Sequence, residues 1–175
     1  ALLTKLVAAL PYGDPYDPKT FVGPVISEDN AIRIDAWIEE AVARGAQRLV
    51  GGKRHGAVVP PTLLAGIDDT TSVRCREGFG PVMCVLPFAT LDQAIARVNA
   101  TPYGLAAGIF TNRLDDALAA ARRIEVGGVH INETSSSRVD LMPYGGSKDS
   151  GFGREGPRYA VHEMTEERIV TITSG

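Results

Sequence analysis

Cysteine is nearly missing from this chain: only Cys75 and Cys84 occur in 175 residues. Two thiols with no Cys-x-x-Cys pair exclude a disulfide framework and a dithiol redox motif, and they fit a reducing cytoplasm. Histidine is as scarce. His55, His130 and His162 show no ligand spacing, which argues against a metal site. No apolar run approaches the length needed to cross a bilayer. The start, Ala1-Leu2-Leu3-Thr4-Lys5-Leu6, lacks the basic opening and small-residue cleavage site of a secretory signal. An excess of either charge is missing too. With 18 Lys and Arg against 21 Asp and Glu, the net charge is −3 and the signs are interspersed. Neither nucleic acid nor an anionic membrane is therefore an expected partner. The chain has no initiator Met and opens in mid-pattern, as expected of a segment of a longer protein.

What is there is an ordinary globular composition. At 44% hydrophobic and 22% charged residues, 175 residues suffice for one domain with a real core. Leu2, Leu3, Leu6, Val7 and Leu10 predict the end of an amphipathic helix that Pro11 closes. A turn-rich connector follows, from Tyr12 to Gly23-Pro24. Ser27 can cap a helix whose apolar face is Ile34, Trp37, Ile38, Ala41 and Val42, with Gly45 at its end. Gln47 to Val50 is a short strand before the Gly51-Gly52 turn. Pro60 to Leu64 reads as an edge strand, because proline donates no ladder bond, and Val82 to Leu86 as a central one.

Thr90 and Gln93 form a capping box for a helix through Val98. Ala106 to Phe110 is a strand, Leu114 to Glu125 an Ala-rich helix ended by Gly127, and Val129 to Asn132 another strand. This alternation predicts an α/β fold: an open, mostly parallel twisted sheet with helices on its faces. Residues 133 to 158 are a long polar, glycine-rich connection beyond the carboxyl end of a strand, where such sheets place ligands. A short helix is expected from Tyr159 to Met164, and the β-branched tail Arg168 to Thr173 is expected to pair elsewhere.

Three local features bear on chemistry. Glu77-Gly78-Phe79-Gly80-Pro81 is a shaped loop before the strand at Val82. Its carboxylate and ring suit a ligand with hydroxyls and a flat face, or else a solvated Glu77 and a core Phe79. Gly151-Phe152-Gly153-Arg154-Glu155-Gly156 fits Gly-x-Gly-x-x-Gly, but a polar loop precedes it and no acidic residue stands about 20 residues on, so it is a tight turn, not a phosphate cradle. Arg138 suits two-pronged binding of a carboxylate or phosphate, or a solvated charge paired with Asp140. As a nucleophile Cys75, between Arg74 and Arg76, lacks a base, Cys84 lies in a buried strand, and Ser135-Ser136-Ser137 is loop.

Four segments occur together in family order: Glu77-Gly78-Phe79-Gly80-Pro81, Asn99-x-x-x-Tyr103-Gly104-Leu105, Gly128-Val129-x-Ile131-Asn132, and Pro143-Tyr144-Gly145-Gly146-Ser147-Lys148-x-Ser150-Gly151. With the Gly13-Asp14-Pro15, Gly23-Pro24 and Gly51-Gly52 turns, the whole chain resembles the C-terminal part of an NAD(P)-dependent aldehyde dehydrogenase. The loop from Asn132 to Arg138 is similar to the lactaldehyde, phosphonoacetaldehyde and non-phosphorylating glyceraldehyde-phosphate branches. The resemblance implies a catalytic domain truncated at its N-terminus over residues 1–164 and a C-terminal strand of the oligomerisation region over 165–175. It implies NAD or NADP as cofactor, a small-molecule aldehyde as substrate, and a homo-oligomer, dimer or tetramer, for the full-length protein.

By the same resemblance Glu77 bonds the nicotinamide ribose hydroxyls and Phe79 packs at that end of the cofactor. Asn132 and Tyr144 line the aldehyde pocket, where phenylalanine is common in place of Tyr144, and Arg138 selects an anionic aldehyde. In the parent reaction a cysteine thiolate attacks the carbonyl, hydride passes to NAD(P)+, and water hydrolyses the thioester. The family's nucleophile, general base, oxyanion asparagine and Rossmann-like domain lie upstream, so no catalytic residue is assigned here and the chain alone is expected to be inactive. Arg76 and Gly78 stand where acidic and aliphatic residues are common. The alternative is a degenerate, non-catalytic module for binding or assembly.

Overall fold

The computed structural model describes residues 1–175. They form two compact units, Ala1–Pro87 and Phe88–Gly175.

The first unit is built on one helix. After α1 (Leu2–Ala8), α2 runs Glu28–Ala43 and starts as its sequence predicts, with Ser27 Oγ accepting from the Asn30 amide at 3.2 Å. Glu28 and Asp29 place negative charge at the positive end of the helix dipole. Gly45, at φ +98°, turns the chain out of the helix. Ala31, Ile34, Ile38 and Ala41 recur on one face and are buried against Val59, Leu64 and Ile67. Burying each isoleucine contributes roughly 1.5–3 kcal/mol, so this stripe holds the unit together more than helix propensity does. Trp37 stays half-buried, with the Arg33 guanidinium 4.2 Å above its ring.

Strands β1 (Gln47–Val50), β2 (Thr62–Ala65) and β3 (Val82–Val85) make one sheet in the order β1-β2-β3. β1 pairs antiparallel with β2, and β2 pairs parallel with β3, Thr62 facing Val82 and Ala65 facing Val85. The expected places of two strands are exchanged. The proline-led segment is the middle strand, because Pro60 and Pro61 precede the first ladder residue, and Thr62 donates its amide to Pro81 at 2.9 Å. The apolar run at Val82 is on the outside of this sheet, with Met83 and Val85 exposed.

Sequence periodicity missed the one-turn helix α3 (Ser72–Cys75). It follows a turn in which Asp68 Oδ1 accepts from the Thr70 amide at 2.7 Å and buried Thr71 donates its hydroxyl to the Asp68 carbonyl at 2.8 Å. The Thr70 hydroxyl, then its amide, holds the Asp68 carboxyl below the usual carboxylate range. α3 is tied back to α2 by the Ser72 amide, which donates to Glu40 at 3.3 Å.

The second unit alternates helices and short strands: α4 (Leu91–Asn99), β4 (Tyr103–Gly104), β5 (Ala106–Ile109), α5 (Leu114–Arg123), β6 (Gly128–Ile131), β7 (Ser147–Lys148) and α6 (Pro157–Glu163). One half of the expected capping box is present, and the return bond falls on Ala89, one residue before the cap. Thr90 Oγ1 accepts from the Gln93 amide at 3.3 Å, and the Gln93 side chain accepts from the Ala89 amide at 3.0 Å. β5 and β6 are parallel, Ala106 to Ile109 against Gly128 to Ile131, while β4 and β7 form a separate antiparallel pair. The fold is therefore α/β with two parallel strand pairs. No helix is long and apolar enough to cross a membrane.

Long polar side chains fasten the turns of this unit. Asn99 donates to the Arg123 carbonyl at 2.8 Å and accepts from the Glu125 amide at 2.9 Å. Lys148 donates to the Asn99 carbonyl at 2.8 Å and pairs with Glu125 at 3.0 Å. Ser150 Oγ accepts from the Gly104 amide at 2.9 Å. Residues 165–175 make no strand pairing, and Ile169 and Ile172 are 91% and 90% exposed.

Glycine is obligatory where two backbones touch. A Cβ on Gly127 would lie 1.6 Å from the Gly145 carbonyl oxygen, far inside van der Waals contact and against main chain that cannot rotate away. Gly127→Ala is expected to destabilise the protein by about 3 kcal/mol or more, the upper end for overpacking, read as a lower midpoint in urea at unchanged slope.

Candidate functional site

The loop Glu77–Pro81 is shaped by its neighbours as well as its own sequence. Phe79 adopts a left-handed φ of 51°, uncommon for a residue with a side chain, and the residue is 73% exposed. On one side of it Gly78 offers its carbonyl to Arg33 Nη2 at 2.8 Å. On the other, Gly80 lies against α2 so closely that a Cβ there would be 2.5 Å from Ile34 Cδ1. Val82 then donates its amide to the Gly80 carbonyl at 2.8 Å, closing a tight turn about Pro81. Glu77 is exposed at the loop's start. Ile34, Trp37, Val73, Gly78, Phe79, Gly80 and Val82 border a cleft of about 70 Å³. Phe79 borders this cleft, and the exposed Glu77 carboxylate precedes it by two residues on the same loop, outside the lining.

Arg33 escaped the sequence reading. Its Nε also donates to Asn30 Oδ1 at 3.1 Å, and its guanidinium stacks on Trp37, so three contacts fix it. Helical spacing does put Arg33 and Trp37 one turn apart, the signal that could have paired them. Its carbonyl partner lies 45 residues away and has no local trace.

In the second unit, Asn132 ends β6 with a left-handed φ of 57°. Its amide donates to the Ile109 carbonyl at 2.7 Å, and its Oδ1 accepts from the Thr111 amide at 2.8 Å. The side-chain NH₂ is the group left to donate outward. The loop beyond packs on β5 at Gly108, where a Cβ would meet the Glu133 carbonyl at 2.6 Å.

Arg138 and Tyr144 come together: the guanidinium lies 4.3 Å from the ring centroid. The same guanidinium pairs with Glu155 at 3.1 Å. The carboxylate partner is therefore Glu155 and not the adjacent Asp140. Register explains it, because Tyr144 and Glu155 form an antiparallel bridge, amide to carbonyl at 3.1 and 2.6 Å. Tyr144, Glu155, Leu105, Ser150 and Arg154 border an open cavity of about 390 Å³. Gly151, Gly153 and Gly156 all have positive φ, and Arg154 closes the turn by donating to the Gly146 carbonyl at 2.9 Å, so the Gly-x-Gly-x-x-Gly run is a folded turn.

The two thiols differ. Cys75 is exposed and donates to the Asp69 carbonyl at 2.9 Å. Burial in β3 raises the Cys84 pKa, with nearby Arg74 opposing it.

The Aldehyde dehydrogenase family profile matches residues 1–170. The chain belongs to that family. It is 49% identical over 160 residues to the 3-sulfolactaldehyde dehydrogenase of Priestia aryabhattai, covering 91% of this chain and 34% of that protein. The crystal structure of aldehyde dehydrogenase 21 from Physcomitrella patens, in complex with the reaction product succinate, superposes with a TM-score of 0.90 at 42% identity, covering 93% of this chain and 34% of that one. The glyceraldehyde-3-phosphate dehydrogenase GapN of Methanocaldococcus jannaschii, complexed with NADP, gives 0.88 at 40% identity, covering 93% and 35%. The chain thus spans about a third of the length of the relatives it matches.

At pH 8 iodoacetamide is expected to modify Cys75 and leave Cys84 intact in the native chain, because the raised pKa and burial keep Cys84 a thiol. Peptide mass spectrometry before and after unfolding reads the difference.

Proposed function

We propose that this chain is a segment of an NAD(P)-dependent aldehyde dehydrogenase that oxidises a small anionic aldehyde to the acid. Residues 1–164 supply part of its catalytic domain, and 165–175 a strand of its oligomerisation region. The observation that carries the reading is the presentation of Glu77 and Phe79 on a loop latched from behind. A carboxylate can accept from both hydroxyls of a ribose, and a held aromatic ring can pack against a flat nicotinamide. NAD or NADP, when bound, supplies the hydride acceptor. Glu77 and Phe79 would orient it, and Arg33 and Ile34 would keep those two residues in place.

On the substrate side, Asn132 would donate through its NH₂ group, Tyr144 would form an aromatic wall, and Arg138 would meet the acid group of the aldehyde. Stacking on Tyr144 and the pair with Glu155 fix the guanidinium plane, and a fixed plane loses less freedom on binding an anion. A relative named for 3-sulfolactaldehyde, one named for glyceraldehyde 3-phosphate and one solved with succinate as reaction product support this reading. In this reading neither Cys75 nor Cys84 serves as the nucleophile, and burial raises the pKa of Cys84.

Two outcomes follow for the full-length enzyme. Glu77→Gln should weaken cofactor affinity about tenfold, the size of one lost charge-assisted hydrogen bond, with the aldehyde KM unmoved. Arg138→Leu should raise the KM for a sulfonated or phosphorylated aldehyde about tenfold or more and leave that of a neutral aldehyde of similar length within twofold. Equal effects on both aldehydes would remove the anion from the proposal.

A further inference from the structure

We infer that Arg33 is a positioning residue for the cofactor loop, acting through the Gly78 carbonyl to hold Glu77 and Phe79 in their binding geometry. The inference rests on the reading of Glu77 and Phe79 given above. Phe79 sits in a left-handed conformation that a non-glycine residue holds only when its surroundings impose it. The imposing contacts are few. Gly80 is pressed on Ile34, and Gly78 is bonded to Arg33. Ile34 supplies only a steric floor, whereas Arg33 supplies the directional bond next to both residues that would meet the ligand.

Arg33 suits this task because nothing about it is loose. Asn30 accepts from its Nε and Nη2, Trp37 carries its flat face at 4.2 Å, and the remaining reach of Nη2 goes to Gly78 at 2.8 Å. Arg33, Asn30 and Trp37 all stand on α2, on the flank of the face that packs into the core, so the loop is referred to the helix that holds the unit together. Lysine could make the bond to Gly78 but has no planar fork to share between Asn30 and Trp37.

Binding of NADH and NADPH to the full-length enzyme, titrated by nucleotide fluorescence, tests the inference without turnover. Arg33→Met keeps the aliphatic stem on Trp37 and removes the donors. It should weaken the better-bound nucleotide about tenfold, and Arg33→Lys about threefold. Because Arg33 acts through the loop, Arg33→Met added to Glu77→Gln should weaken binding by less than about threefold beyond Glu77→Gln alone, whereas independent contributions would multiply. Amide hydrogen exchange in residues 78–82 should accelerate in Arg33→Met while exchange in the α2 core keeps its wild-type rate.

If Glu77→Gln weakens binding and Arg33→Met binds within twofold of wild type, the positioning role is overturned and the cofactor reading stands. If Glu77→Gln itself binds like wild type, the cofactor reading fails and takes the inference with it. Multiplying effects in the double variant would also overturn positioning. Should Arg33→Met fail to fold, Arg33→Ala, which has no donor for Gly78, takes its place, and wild-type affinity with unchanged loop exchange in that variant decides against the inference.

Discussion

Ile34 is the side chain on which the first unit and its candidate site both depend. It is 2% exposed, lies in the core formed by α2 and the strand residues, and at its outer end meets the backbone of Gly80. A core isoleucine therefore sets how close the loop can come to the helix. That fixes the depth at which Phe79 stands, and only glycine at position 80 lets the chain lie that close. Arg33, its neighbour in sequence, points its donors at the adjoining carbonyl, so consecutive residues of one helix supply the floor and the latch. Packing and polar bonding are coupled here because the stripe that stabilises α2 also orients its flank.

The second unit solves a similar problem with backbone contact in place of a core. Its buried apolar residues are few, chiefly Ile95, Ala117 and Ala120. The long connection after β6 is instead held where glycines let chains approach and where Asn99, Lys148 and Ser150 reach across turns. Such a framework defines the positions of Tyr144 and Glu155 through their bridge, and hence where the Arg138 guanidinium comes to rest. Arg138 borrows its order from residues whose own role is structural.

Helix starts were readable because capping is local: Ser27 with Asn30, and Thr90 with Gln93, are decided within four residues. The order of strands was less so. Prolines at 60 and 61 argued for an edge, yet what matters is whether proline falls inside the ladder, and the register is set by a strand twenty residues on. In the motifs Asn99-x-x-x-Tyr103-Gly104 and Pro143 to Gly151, the structure uses Asn99, Lys148 and Ser150 to fasten turns. Glu77, Phe79 and Arg138 drew notice by residue type, whereas Asn132 and Tyr144 were named only through the family resemblance. Arg33 and Glu155 could not be named, since their importance comes from partners 45 and 17 residues away.

The outer position of β3 has a consequence for handling the chain. Its far side carries unpaired amides and carbonyls, with Met83 and Val85 exposed, and the β-branched tail at Ile169 to Ile172 is bare. Each is a template that a second extended segment can join, and with −3 of net charge little repulsion keeps copies apart. Purified alone, these 175 residues would present two extended segments through which copies can associate.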